Sequence, residues 1–410
     1  MGAQDRDFDL VIWGATGFTG KLVAEYLLGR DGPGLRWALG GRSQAKLEAV
    51  RAELGAGAQQ LPLVVGDADD EAFLASLAER TRVVCTTVGP YAQYGSKLVA
   101  ACAGQGTHYC DLTGELQWMR RMIDAHHDAA VASGARIVHT CGFDSIPSDL
   151  GVFFLQREMQ ARHGVPCSRI KYRVVDFRGG FSGGTVASLL NVMAEATSDS
   201  AVRRLLADPY ALNPEGERSG PDTADRMAPA YDADFDAWTA PFVMAGINTR
   251  VVRRSNALLG HAYGQDFRYD EATLMGPGLP GMAKAAAFSA GLGATLGAGA
   301  VGPLRRQLAR LLPAPGEGPS PEQRERGFFV IRLFGEHPVD AGKSLRARVS
   351  GDRDPGYGST AKMLGEAALC LVQDDLDVAG GIWTPASALG TPLLARLQER
   401  AGLSFSIEQS

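Results

Sequence analysis

The chain has 410 residues, 45% of them hydrophobic and 21% charged, and a formal net charge of −5. That length suits two domains rather than one core, and the mild acidity, with no Lys/Arg block longer than two residues, excludes an electrostatic nucleic-acid surface. Six cysteines (Cys85, Cys102, Cys110, Cys141, Cys167, Cys370) with no C-x-x-C pair exclude a zinc ribbon and a disulfide scaffold.

Met1 to Asp9 is short and polar and leads straight into a strand, which leaves no room for a signal peptide and predicts a cytoplasmic protein. That strand, Phe8–Trp13, is followed by Gly14, Gly17 and Gly20 and then by the helix Lys21–Leu28. The spacing is G-x-x-G-x-x-G, a variant of the dinucleotide turn, in the strand-to-helix setting that gives such a turn meaning. Backbone without side chains lets a pyrophosphate come close, and the helix N-terminus offers it unpaired N–H groups. Strands Arg36–Leu39, Leu61–Val65, Val83–Thr87, His108–Leu112 and Arg136–Thr140 alternate with helices Gln44–Leu54, Asp70–Ala78, Ser96–Ala103 and Leu116–Ser133. Such alternation predicts an α/β, Rossmann-type doubly wound parallel sheet over residues 1–150.

The cofactor is argued at the end of the second strand, Gly40-Gly41-Arg42-Ser43. NAD sites place an acid there, whereas Arg42, Ser43 and Lys46 suit a 2′-phosphate, so NADP(H) is expected; the competing role for Arg42 is a solvated loop charge. Asp67, after the third strand, either faces the adenine edge or caps the next helix. Gly89 and Pro90 make a turn at the carboxyl edge of the fourth strand, with Tyr91, Tyr94 and Ser96 as polar neighbours. Tyr91 is a candidate proton donor, or a wall of the cleft. The fifth and sixth strands end in Asp111, Thr113, Gly114 and Glu115, and in Cys141, Gly142, Asp144, Ser145 and Asp149. Two acid-bearing loops thus converge on one cleft, helix capping accounts for part of them, and Asp144, between Phe143 and Ser145, is the acid least explained that way. Cys141 has no base partner at a recognisable spacing, and the adjacent His126 and His127 read as solvent-facing. There is no Tyr-x-x-x-Lys relay, no metal-ligand cluster and no G-x-S-x-G elbow, so no metal is expected.

Residues 151–355 read as an α+β domain: the helix "LGVFFLQREM", the strand "IKYRVVDF", the turn "RGGFSGGT" and the helix "VASLLNVMAEA". Pro209 to Pro241 reads as a long Pro/Asp-rich excursion outside the core. Residues 285–304 carry no charge. They are mostly Ala and Gly, too poor in Leu, Ile, Phe and Val for a transmembrane helix, but they suit peripheral contact with a membrane, with Lys284, Arg305, Arg306 and Arg310 at headgroup level. The loop "LPAPGEGPSPEQRERG" separates this segment from the strands "FFVIRLFG" and "SLRARVSG". Residues 356–410 read as a helical segment packing back on the first domain.

The blocks "VIWGATGFTGKLVAEYL", "LGGRSQAKL", "VGPYAQYGSKLVAACAGQGTHYCDLTGE", "CGFDSIPSDLG", "GGTVASLL", "GDRDPGYGSTAKMLGEAAL" and "GGIWTPASALG" span nearly the whole chain. On them the sequence resembles the saccharopine dehydrogenase-like oxidoreductases, and most of all the trans-acting enoyl reductases of actinobacterial lipid biosynthesis. The resemblance implies a dinucleotide site at Gly14, Thr16, Gly17, Phe18, Thr19, Gly20, Arg42 and Ser43, and a cleft lined by Gly89, Pro90, Tyr91, Asp144 and Ser145. It further implies NADPH-dependent reduction of a carbon–carbon double bond in a polyketide or fatty-acyl chain, carried by a polyketide synthase or an acyl carrier protein. Backbone N–H groups near Gly142 or Tyr91 would steady the enolate. Two alternatives remain at this point: an imine reductase of the saccharopine type, whose polyanionic substrate needs convergent arginines such as Arg253, Arg254 and Arg268, and a lipid-associated dinucleotide-binding protein without turnover.

Overall fold

The computed structural model describes residues 6–30, 34–180, 183–311 and 318–409, with side chains except at 183–186 and 308–311. The first five residues, Phe181 and Ser182 of the "RGGFSGGT" turn, the Arg310 side chain and residues 312–317 of the long loop lie outside the described residues. Among those described there are fourteen strands: Phe8–Trp13 (β1), Trp37–Gly41 (β2), Leu63–Val65 (β3), Thr81–Thr86 (β4), His108–Cys110 (β5), Arg136–Val138 (β6), Arg169–Arg178 (β7), Ala230–Asp232 (β8), Ala237–Pro241 (β9), Arg268–Gly276 (β10), Phe328–Glu336 (β11), Leu345–Gly351 (β12), Gly381–Trp383 (β13) and Leu403–Ile407 (β14).

They form two seven-stranded sheets. The first is parallel, in the order β13-β6-β5-β4-β1-β2-β3. In β1, next to the central strand β4, Leu10 to Trp13 are at most 2% exposed, as a strand covered on both faces requires. Strand order reverses between β1 and β4, and in open α/β sheets ligands bind outside the carboxyl ends of the strands at that reversal. The second sheet runs β14-β12-β11-β7-β10-β9-β8, with β7 and β10 parallel and the other pairs antiparallel. The helices Ile146–His163 and Ala245–Leu258 pack on it. One hydrophobic cluster runs from the Phe18–Leu28 face of the first sheet into the second sheet, and a separate cluster fills the first sheet's other face.

Two expectations need correction. The stretch from Pro209 to Pro241 is not an excursion outside the core: Ala211 and Leu212 are fully buried, and β8 and β9 complete the second sheet. Arginines hold it in place. Arg120 donates to Ala211 O and Asn213 O, Arg250 to Asp208 O, and Arg254 to Leu212 O, so backbone carbonyls there are satisfied by side chains instead of by a strand partner. The C-terminal segment is not wholly helical either. The helix Thr360–Gln373 does pack on the first sheet beside Phe18–Leu28, but β13 extends that sheet and β14 closes the edge of the second. In β14, Leu403 and Phe405 are buried while Ser404 and Ser406 are exposed, the period-two pattern of a half-buried strand.

Candidate active site

The glycine turn is built for close approach. Gly14 has φ +95°, a left-handed conformation that favours glycine, and its N–H and that of Ala15 both donate to Gly40 O at 3.0 Å. A Cβ on Gly20 would lie 2.2 Å from Gly14 O and 2.8 Å from Thr87 Oγ1. The helix Phe18–Leu28 starts at Gly17 with no side-chain cap and no acid in its first turn, so the N–H groups of Phe18, Thr19 and Gly20 face outward for an anion. This cradle fits a dinucleotide pyrophosphate. Thr16 stands beside Gly41, while the Phe18 ring packs edge-on against Tyr357, 4.7 Å between centroids, under the Arg324 guanidinium; Phe18 therefore offers the cleft its backbone alone.

At the end of β2, Arg42 is exposed and has no hydrogen-bond or ion-pair partner among the described residues. Ser43 has a structural duty: its hydroxyl caps the helix Gln44–Glu53 by accepting from Lys46 N–H. Asp67 accepts from Asp69 N–H at 3.0 Å, and the helix that follows is capped by Asp70 instead. If Arg42 binds the 2′-phosphate, Arg42→Ala raises the Kd for NADPH roughly 10- to 100-fold, the worth of a charge-assisted hydrogen bond, and leaves that for NADH within about threefold. Fluorescence titration with each cofactor reads the difference; equal losses for both remove the assignment.

Gly89 and Pro90 lie at the carboxyl end of β4, next to Thr87, whose Oγ1 donates to Gly14 O. The Tyr91 hydroxyl is turned away from the cleft. It donates to Thr86 O at 3.2 Å, accepts from Leu112 N–H at 3.4 Å, and its ring packs 5.4 Å from that of Trp118. Burial, with Asp111 nearby, pushes its pKa well above the usual phenol range, which makes it a poor proton donor. Its N–H is also taken, by Glu115 at 2.7 Å. Tyr91→Phe is accordingly expected to leave kcat within about threefold and to cost roughly 1 kcal/mol of stability; a larger kcat loss returns Tyr91 to the mechanism.

The carboxyl edge of the first sheet opens onto a cavity whose walls include Thr19, Leu112, Phe143, Val174, Phe177, Phe242 and Thr360. The walls are mainly apolar, and among the described residues the one charged member is Asp144. This carboxyl has no hydrogen-bond partner among the described residues, and burial raises its pKa to about 7. Ser145, its neighbour, points elsewhere: its Oγ donates to Asn248 Oδ1 at 2.9 Å, Asn248 donates to Glu271 at 3.0 Å, and Tyr269 donates to the same carboxylate at 2.7 Å. That chain of contacts fixes the start of the helix Ile146–His163 against the second sheet.

The other acids are spoken for. Asp111 pairs with His139 Nδ1 at 2.7 Å and accepts from Tyr109 OH, Thr113 N–H and Thr140 N–H. It ties together the two loops that carry Gly114 and Asp144. Asp149 accepts from Ser255 Oγ and Ala386 N–H. Glu115 accepts from Tyr91 N–H, Ala92 N–H and Ser188 Oγ, bridging to the helix Gly183–Ser198. Cys141 is fully buried with its thiol pKa pushed well up, no nucleophile. His127 is half-buried rather than solvent-facing, because it accepts from Ile382 N–H at 3.2 Å. Among the described residues no group of three or more His, Cys, Asp or Glu side chains is placed to hold a metal.

Sequence reasoning missed one wall. Asp354 accepts from Tyr357 N–H and Gly358 N–H, both at 2.9 Å, folding Pro355–Ser359 into a tight turn before the helix Thr360–Gln373. Pro355, Gly356 and Thr360 line the cavity, and Thr360 Oγ1 accepts from Phe143 N–H at 3.0 Å. The signal was present as an acid followed by a Pro/Gly turn and a helix start, the pattern already noted after β6. The arginines suggested for a polyanionic substrate are elsewhere: Arg253 pairs with Asp222 at 2.7 Å, Arg254 donates to Leu212 O and Ile382 O, and Arg268 is exposed.

Residues 10–138 match the saccharopine dehydrogenase NADP binding domain, which makes this the cleft of an NADP-dependent oxidoreductase. A Mycobacterium tuberculosis relative is 45% identical over 99% of this chain and 98% of its own length, and the trans-acting enoyl reductase of Mycobacterium bovis is 41% identical, with 97% of each chain covered. The fold is similar to that of apo saccharopine dehydrogenase (L-Glu forming) from Saccharomyces cerevisiae, with a TM-score of 0.55 and 14% identity, covering 98% of this chain and 99% of that one. The chain belongs to the saccharopine dehydrogenase-like oxidoreductases, in the family of the trans-acting enoyl reductases.

Proposed function

We propose that the protein reduces the carbon–carbon double bond of an α,β-unsaturated acyl thioester, using NADPH, on a lipid-like chain delivered by an acyl carrier protein or a polyketide synthase. One observation carries this: the unpartnered Asp144 carboxyl faces an apolar cavity that begins at Thr19, on the first turn of the dinucleotide helix. Gly14, Thr16, Gly17, Phe18, Thr19 and Gly20 hold the cofactor's phosphates through backbone, and Arg42 with Ser43 meets the 2′-phosphate. NADPH, when bound, supplies a hydride for the β-carbon. Asp144, protonated near neutrality, gives its proton to the α-carbon and regains one from water. Phe143, Val174 and Phe242 wrap the acyl chain and exclude water, which strengthens every polar contact in the cavity.

Among the described residues no Lys or Arg lines the cavity, which favours this over reduction of an imine on a polyanionic amino acid, where buried carboxylates need cations. Oxidation of NADPH, followed by absorbance, tests the proposal with enoyl thioesters of increasing chain length. Turnover that improves with chain length supports it. Cofactor binding without oxidation by any enoyl thioester points to the non-catalytic lipid-associated protein, and oxidation with an amine and a 2-oxo acid alone points to the imine reductase. We also place the protein on the cytoplasmic side of a membrane, in peripheral contact. Among the described residues no helix is long and apolar enough to cross one.

A further inference from the structure

The helix Gly278–Ala300 is 23 residues long, about 35 Å at the usual rise, and it packs along one narrow stripe. Gly281, Ala285 and Gly299 are buried and Ser289, Leu292 and Leu296 half-buried, all on one side at helical spacing. A helix that buries one apolar stripe ordinarily turns a polar face to water. This one does not. Ala283, Ala286, Ala287, Ala290 and Ala294 are exposed, and the stripe is flanked by Leu279, 75% exposed, with Met282 and Phe288.

Two hydroxyls on the helix bond back to its own backbone: Ser289 Oγ donates to Ala285 O at 2.8 Å and Thr295 Oγ1 to Gly291 O at 2.9 Å, the usual i−4 contact of a helical hydroxyl. Lys284 is the one charge on the helix, and it is exposed. After Val301 comes the helix Gly302–Leu311, with exposed Leu304 and with Arg305 and Arg306 beside it. From Pro277 to Leu311 there is no Asp or Glu, in a chain whose net charge is −5. An apolar face on a segment whose only charges are cations complements an anionic surface with an apolar interior. A two-fold contact with a second copy would set Lys284, Arg305 and Arg306 against their own kind.

Resting on the membrane contact proposed above, we infer that the helices Gly278–Ala300 and Gly302–Leu311 form a docking surface for a bilayer containing anionic phospholipid, with the first helix lying in the interfacial plane.

Flotation with vesicles of phosphatidylcholine alone, and of phosphatidylcholine with phosphatidylglycerol, tests this on the full chain. The wild type is expected to float with the anionic vesicles, not with the neutral ones, and to be released at about 0.5 M salt, where the screening length is only a few ångströms. Arg305→Glu with Arg306→Glu, and separately Leu279→Glu with Phe288→Glu, are expected to lower vesicle partition roughly tenfold or more. All four positions lie outside the cofactor cleft, so NADPH titration of each variant should match wild type and certify its fold. Equal binding to both vesicle types, binding indifferent to these substitutions, or a dimer in sedimentation that Phe288→Glu dissolves would each overturn the inference. Lost vesicle binding with intact turnover of a water-soluble enoyl thioester removes the surface and leaves the enoyl reductase proposal standing; vesicle binding without turnover does the reverse.

Discussion

Asp144→Asn is expected to lower kcat by about 100-fold or more, in the range lost with a positioned general acid, while KM for the acyl substrate changes little. The amide keeps the shape of the carboxyl but has no proton to give. The pH dependence carries the sign. Burial holds the Asp144 pKa near 7, so the wild-type rate falls as pH rises through about 7, and the residual rate of the variant is flat there. Stability moves the other way. A carboxyl whose folded pKa lies above its unfolded value of about 4 contributes fully below that unfolded value and loses its contribution as pH rises through the folded pKa. At pH 8 the Asn variant should therefore be more stable than wild type, by roughly 1–2 kcal/mol, and at pH 4 it should have no such advantage. Stopped-flow rates and thermal melts at the two pH values read both effects. A variant with wild-type kcat takes Asp144 out of the mechanism.

Gly20→Ala is expected to weaken NADPH binding by about 100-fold or more and to cost roughly 1–3 kcal/mol of stability, as overpacking does. The added methyl would sit 2.2 Å from Gly14 O and 2.8 Å from Thr87 Oγ1. Gly14 cannot yield easily, since its N–H is bonded to Gly40 O and its O accepts from Gly17 N–H and Thr87 Oγ1. The turn must open, and the N–H groups of the helix start move with it. Gly104→Ala is the control: a Cβ there meets nothing within 4 Å, so cofactor affinity should be untouched. Isothermal titration with NADPH decides. Wild-type affinity in Gly20→Ala would mean that the turn packs the domain without holding a phosphate.

Most of the first sheet was legible because parallel strands buried on both faces are short apolar runs between helices. Phe8–Trp13 agrees with its expected limits residue for residue, and the remaining strands shift by a few residues at their ends. What escaped were short strands that no local apolar run marks. β13 is three residues long and exists because β6 offers it an edge; nothing local marks it. β8 and β9 were hidden by the Pro/Asp content of their surroundings, whose backbone carbonyls Arg120, Arg250 and Arg254 satisfy. Within the site, residue type was legible and side-chain direction was not. Asp144 and Ser145 are adjacent, yet one faces the cavity and the other Asn248, and the Tyr91 hydroxyl is claimed by Thr86 O. Such choices depend on which buried polar groups need partners, and that is known only once the layers are assembled.

The helix Thr360–Gln373 has a consequence for how the protein comes to exist. It covers the face of the first sheet beside Phe18–Leu28, Tyr26 donates to its Glu366, and Arg82 donates to its Val372 O. More than two hundred residues separate the end of β6 at Val138 from the start of this cover at Thr360. A nascent chain that has delivered every strand from β1 to β6 thus leaves the ribosome with Leu27, Val23 and their neighbours still facing water. The nucleotide-binding half is the first to be synthesised and among the last to be finished, and until the C-terminal helix arrives that apolar face is a site for misassembly.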